Sequence, residues 1–227
     1  MPNLMPDPEL LRSLGKLTRG LSALFWGLPA ALIICAATAR MDFIEPFDIA
    51  PALGANALLL FGLWQMSSFQ KQERPWRHAL DRAKLLGLVN FGLCPFLFWF
   101  NQMPTQDYFR AAMAVFVISA VLFLFNLNVV LKQLGAMLPD ETLRNDINLF
   151  TAMNRWMLVA WMFLVTATLL VPTMGLFSSK AGLQIVHRLG RAELAILLFL
   201  GLSPLAITMA LIWKTKEVIF NSVFGAK

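Results

Sequence analysis

The chain has 227 residues, of which 58% are hydrophobic and 14% are charged, and its formal net charge is +6. Water-soluble domains are about 45–50% apolar and about 25% charged, so this composition excludes an ordinary soluble globule. The two cysteines are too few for a disulfide framework.

Six stretches of the chain contain no Asp, Glu, Lys or Arg, and each is about as long as the roughly 20 residues that cross a ~30 Å hydrocarbon core as a helix. They cover residues 20–39, 49–70, 85–106, 111–131, 156–179 and 194–213. Because backbone groups find no water in that core, continuous helices are expected. The sequence therefore predicts an all-α polytopic membrane protein, a single integral domain over 1–227 in which about six transmembrane helices form three hairpins.

The second stretch is the least secure of the predicted spans, because Pro51, Gly54 and Asn56 make its outer third only moderately apolar. A re-entrant or tilted segment is therefore an alternative to a full span over 49–70. A shift of 61 residues aligns part of this stretch with part of the fourth. This similarity leaves an internal duplication open, and transporters often place their substrate sites between such repeats.

The positions of lysine and arginine predict the orientation of the chain, because basic residues near membrane ends are retained on the cytoplasmic side. With the N-terminus inside, fourteen of the nineteen basic residues fall in inner segments and five in outer ones. Both termini are therefore predicted to be cytoplasmic. With this topology we expect an integral protein of a bacterial inner (plasma) membrane.

The segments next to the stretches are predicted to be amphipathic. Residues 1–19 carry leucines at helical spacing with basic residues between them, which indicates a short helix on the inner membrane surface; an extension of the first membrane helix is the alternative. Residues 214–227 are expected to form a cytoplasmic tail. Before the fifth stretch, a further amphipathic helix is predicted with an apolar face of Leu143, Ile147, Phe150 and Met153.

Five basic residues lie between the second and third stretches: Lys71, Arg74, Arg77, Arg82 and Lys84. A basic run beside a membrane attracts anionic headgroups by about 1 kcal/mol per base, so contact with anionic lipids is the first interpretation. Docking of an acidic partner is the second. Nucleic acid is not expected as a partner, because positive-inside sorting accounts for the net charge.

Catalytic signatures are missing from the sequence, which has no His-Glu-x-x-His pattern, nucleophile elbow, Walker loop or dinucleotide fingerprint. The two histidines, His78 and His187, fall on opposite sides of the predicted membrane, so they cannot form one site within a subunit. Cys35 and Cys94 are interpreted as small packing residues. We therefore expect no enzyme activity, no catalytic residue, no metal and no cofactor.

Neutral polar residues occur inside the predicted spans, and those singled out as candidates are Asn56, Gln65, Asn90, Asn126, Asn128 and Thr208. Such side chains bridge helices at a modest gain of about 0.6–2 kcal/mol each. The other interpretation is a neutral polar path between helices. Convergence of these residues on one hydrated cavity would favour transport, whereas bonds made in pairs at helix contacts would favour a structural role.

Three functional classes are compatible with these features. The first hypothesis is a non-catalytic membrane subunit or scaffold that assembles with other membrane proteins or with copies of itself. The second is a channel or facilitator for a small neutral solute. An intramembrane enzyme or cofactor carrier is the third, and the sequence offers no catalytic group for it.

Overall fold

A computed structural model describes residues 8–40, 49–69, 72–103, 105–138, 141–170 and 201–221, and these residues form helices without a strand. In chain order the helices are α1 Pro8–Arg40, α2 Ala50–Met66, α3 Arg74–Leu93, α4 Pro95–Gln102, α5 Asp107–Met137 and α6 Glu141–Leu170. Residues 201–221 are also helical and are called α7 here.

Three helical segments in the described part of the chain are long and apolar enough to cross a membrane: Leu11–Ala39, Arg74–Gln102 and Asp107–Met137. These segments support an integral membrane protein. Helix α2 is apolar but has only 17 residues, which is the lower end of the length that spans a bilayer. The six spans of the sequence stay a prediction, because the fifth and sixth stretches extend into residues 171–200, outside the described residues.

Residues 8–19 and the first predicted span lie in a single helix of 33 residues, Pro8–Arg40. The predicted boundary at Gly20 is therefore not a break in the helix. Leu17, Leu21, Leu24 and Leu28 recur at spacings of four, three and four, and all four are buried in the main apolar core. This regular face packs into the bundle.

The helix that contains the start of the third charge-free stretch begins before that stretch. Helix α3 starts at Arg74 with Pro75 in its first turn, a position where the missing N–H of proline removes no helical bond. The predicted basic loop is therefore helical from Arg74 to Lys84. Pro95 then interrupts the helix after Cys94, since proline inside a helix removes a backbone hydrogen bond, and α4 continues for eight residues.

Neighbouring helices pack in antiparallel pairs. Along α1 and α2, Gly20 faces Gly62, Gly27 faces Leu59, and Cys35 faces Asn56. Along α5 and α6, Asn128 meets Asn154 and Gly135 meets Ile147. Along α6 and α7, Asp146 meets Lys214 and Asn154 meets Thr208. In each pair, residue numbers rise along one helix while the numbers of the contacting residues on its neighbour fall, so the two helices run antiparallel.

The bundle has one strongly basic end, where α1, α3 and α6 begin and α2, α5 and α7 end. The described basic residues at this end, called the basic end below, are Arg12, Lys16, Arg19, Arg74, Arg77, Arg82, Lys84, Lys132, Arg144, Lys214 and Lys216. At the opposite end Arg110 pairs with Asp107 at 3.6 Å. The positive charge of the described residues is therefore concentrated at one end of the bundle.

Candidate functional site

The main polar contact in the described bundle joins α5, α6 and α7. It is formed by Asn128 of α5, Asn154 of α6 and Thr208 of α7, which are exposed by 3%, 0% and 0% of their surface. These three residues are called the Asn-Thr cluster below. Buried amides and hydroxyls need hydrogen-bond partners, because an unpaired polar atom away from water costs free energy.

Hydrogen bonds connect all three side chains of the cluster. The Nδ2 atom of Asn154 donates to Asn128 Oδ1 and Thr208 Oγ1, both at 3.0 Å. The Nδ2 atom of Asn128 donates to Thr208 Oγ1 at 3.0 Å and to the carbonyl of Leu124 at 2.8 Å. The Thr208 hydroxyl in turn donates to the carbonyl of Pro204 at 2.7 Å. Each helix of the three is therefore tied to the other two.

One atom of the cluster has no partner among the residues that the structure describes. The Oδ1 atom of Asn154 is buried and accepts no hydrogen bond from them, and Thr151 Oγ1 on the same helix likewise has no partner there. Trp161 Nε1, also on α6, is a buried donor without an acceptor in the same described part of the chain. At 1.5 Å per residue these positions lie about 4.5 Å and about 10.5 Å from one another along α6. Their chemistry suits water or a small neutral polar molecule.

The other sequence candidates lie away from the cluster. Asn56 is buried and donates to the carbonyl of Ala52 at 2.9 Å and to Cys35 Sγ at 3.5 Å, which joins α2 to α1. Asn126 donates to the carbonyl of Leu122 on its own helix at 2.9 Å. Asn90 is buried, and its Oδ1 atom has no partner. Gln65 is half-buried near the end of α2.

Of the six candidates, the structure thus brings only Asn128 and Thr208 together. Asn154, the third member, was missed by the sequence reasoning because it lies just before the predicted span at 156–179. A signal was present in the sequence: Ile147, Thr151, Asn154 and Leu158 recur at spacings of four, three and four, and all four are buried. This spacing is typical of the face that a helix turns toward its neighbours.

The predicted apolar face of this helix differs from the buried one. Ile147 is buried as expected, but Phe150 and Met153 are exposed, and the side chain of Leu143 lies outside the described residues. The difference has a physical reason. In lipid, an outward apolar side chain has no cost, so polar residues occupy the inner face where hydrogen-bond partners are found.

The basic candidates are placed on or beside α3. Arg74, Arg77 and Arg82 are exposed on that helix, and Lys84 pairs with Asp81 at 3.4 Å. Lys71 lies outside the described residues. The hydrogen bonds of the Asn-Thr cluster involve none of the four described basic residues, so the two groups of candidates are treated as separate sites.

An ion pair holds α6 to α7 at the basic end. Lys214 donates to Asp146 across the two helices, and both side chains are partly exposed. Lys216 lies over the rings of Trp213 and Phe220, at 5.9 and 5.8 Å from their centroids. The ring of Trp213 also contacts Phe25 of α1, with centroids 5.7 Å apart. These contacts place α7 against both α1 and α6.

Within the described residues, no group of three or more His, Cys, Asp or Glu side chains is placed so that it could hold a metal ion. Comparisons of the chain with protein-family models, with curated proteins and with solved structures find no match.

Proposed function

We propose that this chain is a non-catalytic integral membrane subunit or scaffold that assembles with other membrane proteins. The observation that carries the proposal is the Asn-Thr cluster, in which polar side chains from three helices bond to one another. Asn56 donates to Cys35 on the neighbouring helix α1, and Asn126 donates to a carbonyl of its own helix. Polar groups bonded to one another at helix contacts stabilise a bundle, and this favours a structural role.

The outward face of α6 supports the same function. Leu149, Trp156 and Phe163 are spaced by seven residues and are exposed by 68%, 71% and 77%. Met153 and Ala160, also exposed, fall between them. A row at spacings of four and three is the pattern by which one helix packs along another. We call this row the α6 seam and propose that it receives a helix of a partner subunit.

The proposal includes the setting of the protein. A bacterial inner membrane with both chain termini in the cytoplasm agrees with the basic end, where positive charge collects at one side of the apolar helices. Anionic headgroups of that leaflet are the expected lipid partners of Arg74, Arg77 and Arg82.

Native mass spectrometry of the protein extracted gently from its own membrane tests this function. We expect a second membrane protein in fixed stoichiometry. Replacing Trp156 by Ala should weaken that complex by about 2 kcal/mol or more, as buried tryptophans do in interfaces. Trp64 on α2 is equally exposed, at 71%, so Trp64→Ala is the matched control and should leave the complex intact. A lone chain, or equal loss in both variants, would contradict the proposal.

A second candidate function rests on the row of unpartnered atoms on α6. Thr151 Oγ1, Asn154 Oδ1 and Trp161 Nε1 offer one donor, one acceptor and one hydroxyl along a buried face, which suits passage of a small neutral solute. Swelling of proteoliposomes in glycerol or urea tests it. Swelling faster than that of protein-free liposomes, and slowed by Thr151→Val, would favour a facilitator over a scaffold.

A further inference from the structure

A cavity of about 110 Å³ lies between the end of α5 and the start of α6, at the basic end of the bundle. Its volume corresponds to a few water molecules, at about 30 Å³ each in the liquid. It is therefore large enough for a phosphate group and too small for a nucleotide. Its lining residues are Lys132, Gln133, Gly135 and Ala136 of α5 and Arg144, Ile147 and Asn148 of α6.

The floor of the cavity is apolar and fixes the crossing of the two helices. Gly135 and Ile147 are buried, and a Cβ atom at position 135 would overlap the Ile147 side chain. Glycine therefore permits the close approach of α5 and α6 at this point. Ala136, also in the lining, extends the apolar surface.

The rim of the cavity is positive and rich in hydrogen-bond donors. Lys132 and Arg144 come from different helices, and neither makes an ion pair within the part of the chain that the structure describes. Two acids of α6 lie close to Arg144 in sequence. Asp146 is engaged by Lys214, and Glu141, which shares the helix face of Arg144 at a spacing of three, forms no ion pair with it among the described residues. The carboxamides of Gln133 and Asn148 add N–H donors. Two cations with two amides select an anion, and phosphate oxygens fit such donors well.

The position of the cavity indicates where the anion comes from. Helix α5 is one of the segments long and apolar enough to span a membrane, and the cavity opens beside its last two turns. The end of a span lies at the depth of the lipid headgroups. Basic pockets between membrane helices on the cytoplasmic side bind the headgroups of anionic lipids.

We infer that the cleft between α5 and α6 binds the phosphate of an anionic phospholipid, with Lys132 and Arg144 as its cationic ligands. This site is separate from the exposed arginines of α3, which are not among its lining residues. It also differs from them in kind, because its apolar floor accommodates the part of the lipid next to the phosphate.

A lipid titration of the full chain tests the inference. Delipidated protein in zwitterionic micelles is titrated with phosphatidylglycerol, and retained lipid is counted by native mass spectrometry against phosphatidylcholine. We expect one phosphatidylglycerol to be held by the wild type. The double variant Lys132→Gln, Arg144→Gln should bind it about thirtyfold more weakly, which corresponds to about 1 kcal/mol for each base.

The matched control removes the same charge from the same end of the bundle. The double variant Arg12→Gln, Lys16→Gln removes one arginine and one lysine from exposed positions of α1. It should keep the bound lipid, because neither residue lines the cleft. Equal loss in both double variants, or loss in neither, would overturn the inference in favour of a general surface attraction. If the cleft double variant fails to fold, each single variant should still weaken binding about fivefold, and unchanged binding in both would overturn the inference.

A second arm separates lipid from free phosphate. Inorganic phosphate at millimolar concentration is added to delipidated protein, and the unfolding temperature is measured. An unchanged unfolding temperature, alongside stabilisation by phosphatidylglycerol, supports the lipid. A rise with inorganic phosphate that the Lys132→Gln, Arg144→Gln variant lacks would show that the cleft takes a free anion, and the lipid assignment would be wrong.

Discussion

Helices α1 and α2 are joined in a different way from helices α5, α6 and α7. Where α1 crosses α2, a Cβ atom at Gly20 would lie 2.7 Å from the carbonyl oxygen of Gly62 and 2.8 Å from Met66 Cγ. The backbones therefore touch through glycine. Between α5, α6 and α7, the Asn-Thr cluster makes the contact through side-chain hydrogen bonds instead.

The contrast shows two solutions to one physical problem. Lipid tails are as apolar as leucine, so burial of apolar surface gives helices in a membrane little reason to associate. Close backbone approach adds van der Waals contact, and it tolerates no larger side chain. Buried hydrogen bonds add directional contacts and tolerate changes of size better than loss of a partner. The two interfaces should therefore fail under different substitutions.

The largest effect is expected from a larger side chain at the glycine crossing. In Gly20→Val, the new side chain meets the carbonyl oxygen of Gly62, so α1 and α2 must separate. We expect the free energy of unfolding to fall by about 3 kcal/mol, at the upper end for overpacked sites. Denaturation by increasing SDS in mixed micelles measures it.

The control for that substitution lies on the same helix. A Cβ atom at Gly15 would meet nothing within 4 Å, so Gly15→Val changes helix propensity without a clash. Its effect should stay below about 1 kcal/mol. Because valine has a higher helix propensity than glycine, a loss in Gly15→Val similar to that in Gly20→Val would mean that the close crossing is not what stabilises this pair.

A smaller effect is expected from removing the central amide of the Asn-Thr cluster. Asn154→Leu deletes the donor to Asn128, Thr208 and the carbonyl of Pro204. We expect a loss of about 1–2 kcal/mol in the same unfolding experiment, because interhelical hydrogen bonds in membranes reach about that size. Asn128→Leu and the double variant complete a cycle, which should give a coupling energy above zero.

Asn126 provides the control for the cluster. It lies two residues from Asn128, and within the described residues its side chain donates to the carbonyl of Leu122 on its own helix. Asn126→Leu should therefore change stability by no more than about 0.5 kcal/mol. If Asn126→Leu cost as much as Asn154→Leu, the stability of this interface would not depend on bonds between helices.

The sequence predicted the positions of the helices better than it predicted which face of each helix is buried. Charge-free stretches located the apolar part of α1, of α3 with α4, and of α5, because length and charge alone decide whether a segment can cross lipid. The charge-free stretches did not show that α1 begins at Pro8, because residues 8–19 contain charged side chains. The leucines of this segment did not show it either, since a surface helix and a packed helix have the same leucine spacing.

The candidate site was predicted only in part. Asn128 and Thr208 were selected because polar residues inside spans are uncommon, and the structure joins them. Which of the neutral polar residues meet depends on the register between helices, and a single sequence does not contain that information. Asn154 was missed because it lies two residues before a charge-free stretch, although its buried spacing with Thr151 and Leu158 was visible.

The smallest effect is expected at the ion pair between Asp146 and Lys214. The Asn-Thr cluster already joins α6 to α7, so substitutions at this ion pair measure how much stability the basic end adds to the contact between the two helices. The lysine and aspartate side chains are 43% and 37% exposed, and ion pairs open to solvent contribute about 0.2–1 kcal/mol. We expect a coupling energy of about 0.5 kcal/mol between Asp146→Asn and Lys214→Gln.

Salt distinguishes this contact from the cluster. The Debye length shortens from about 10 Å at 0.1 M salt to about 3 Å at 1 M, so the coupling between Asp146 and Lys214 should fall toward zero at 1 M. The coupling between Asn128 and Asn154 should not change, because those side chains are buried and neutral. A salt-dependent Asn128–Asn154 coupling would mean that water and ions reach the cluster, and the α6 face would then be better explained as a polar path than as a packed interface.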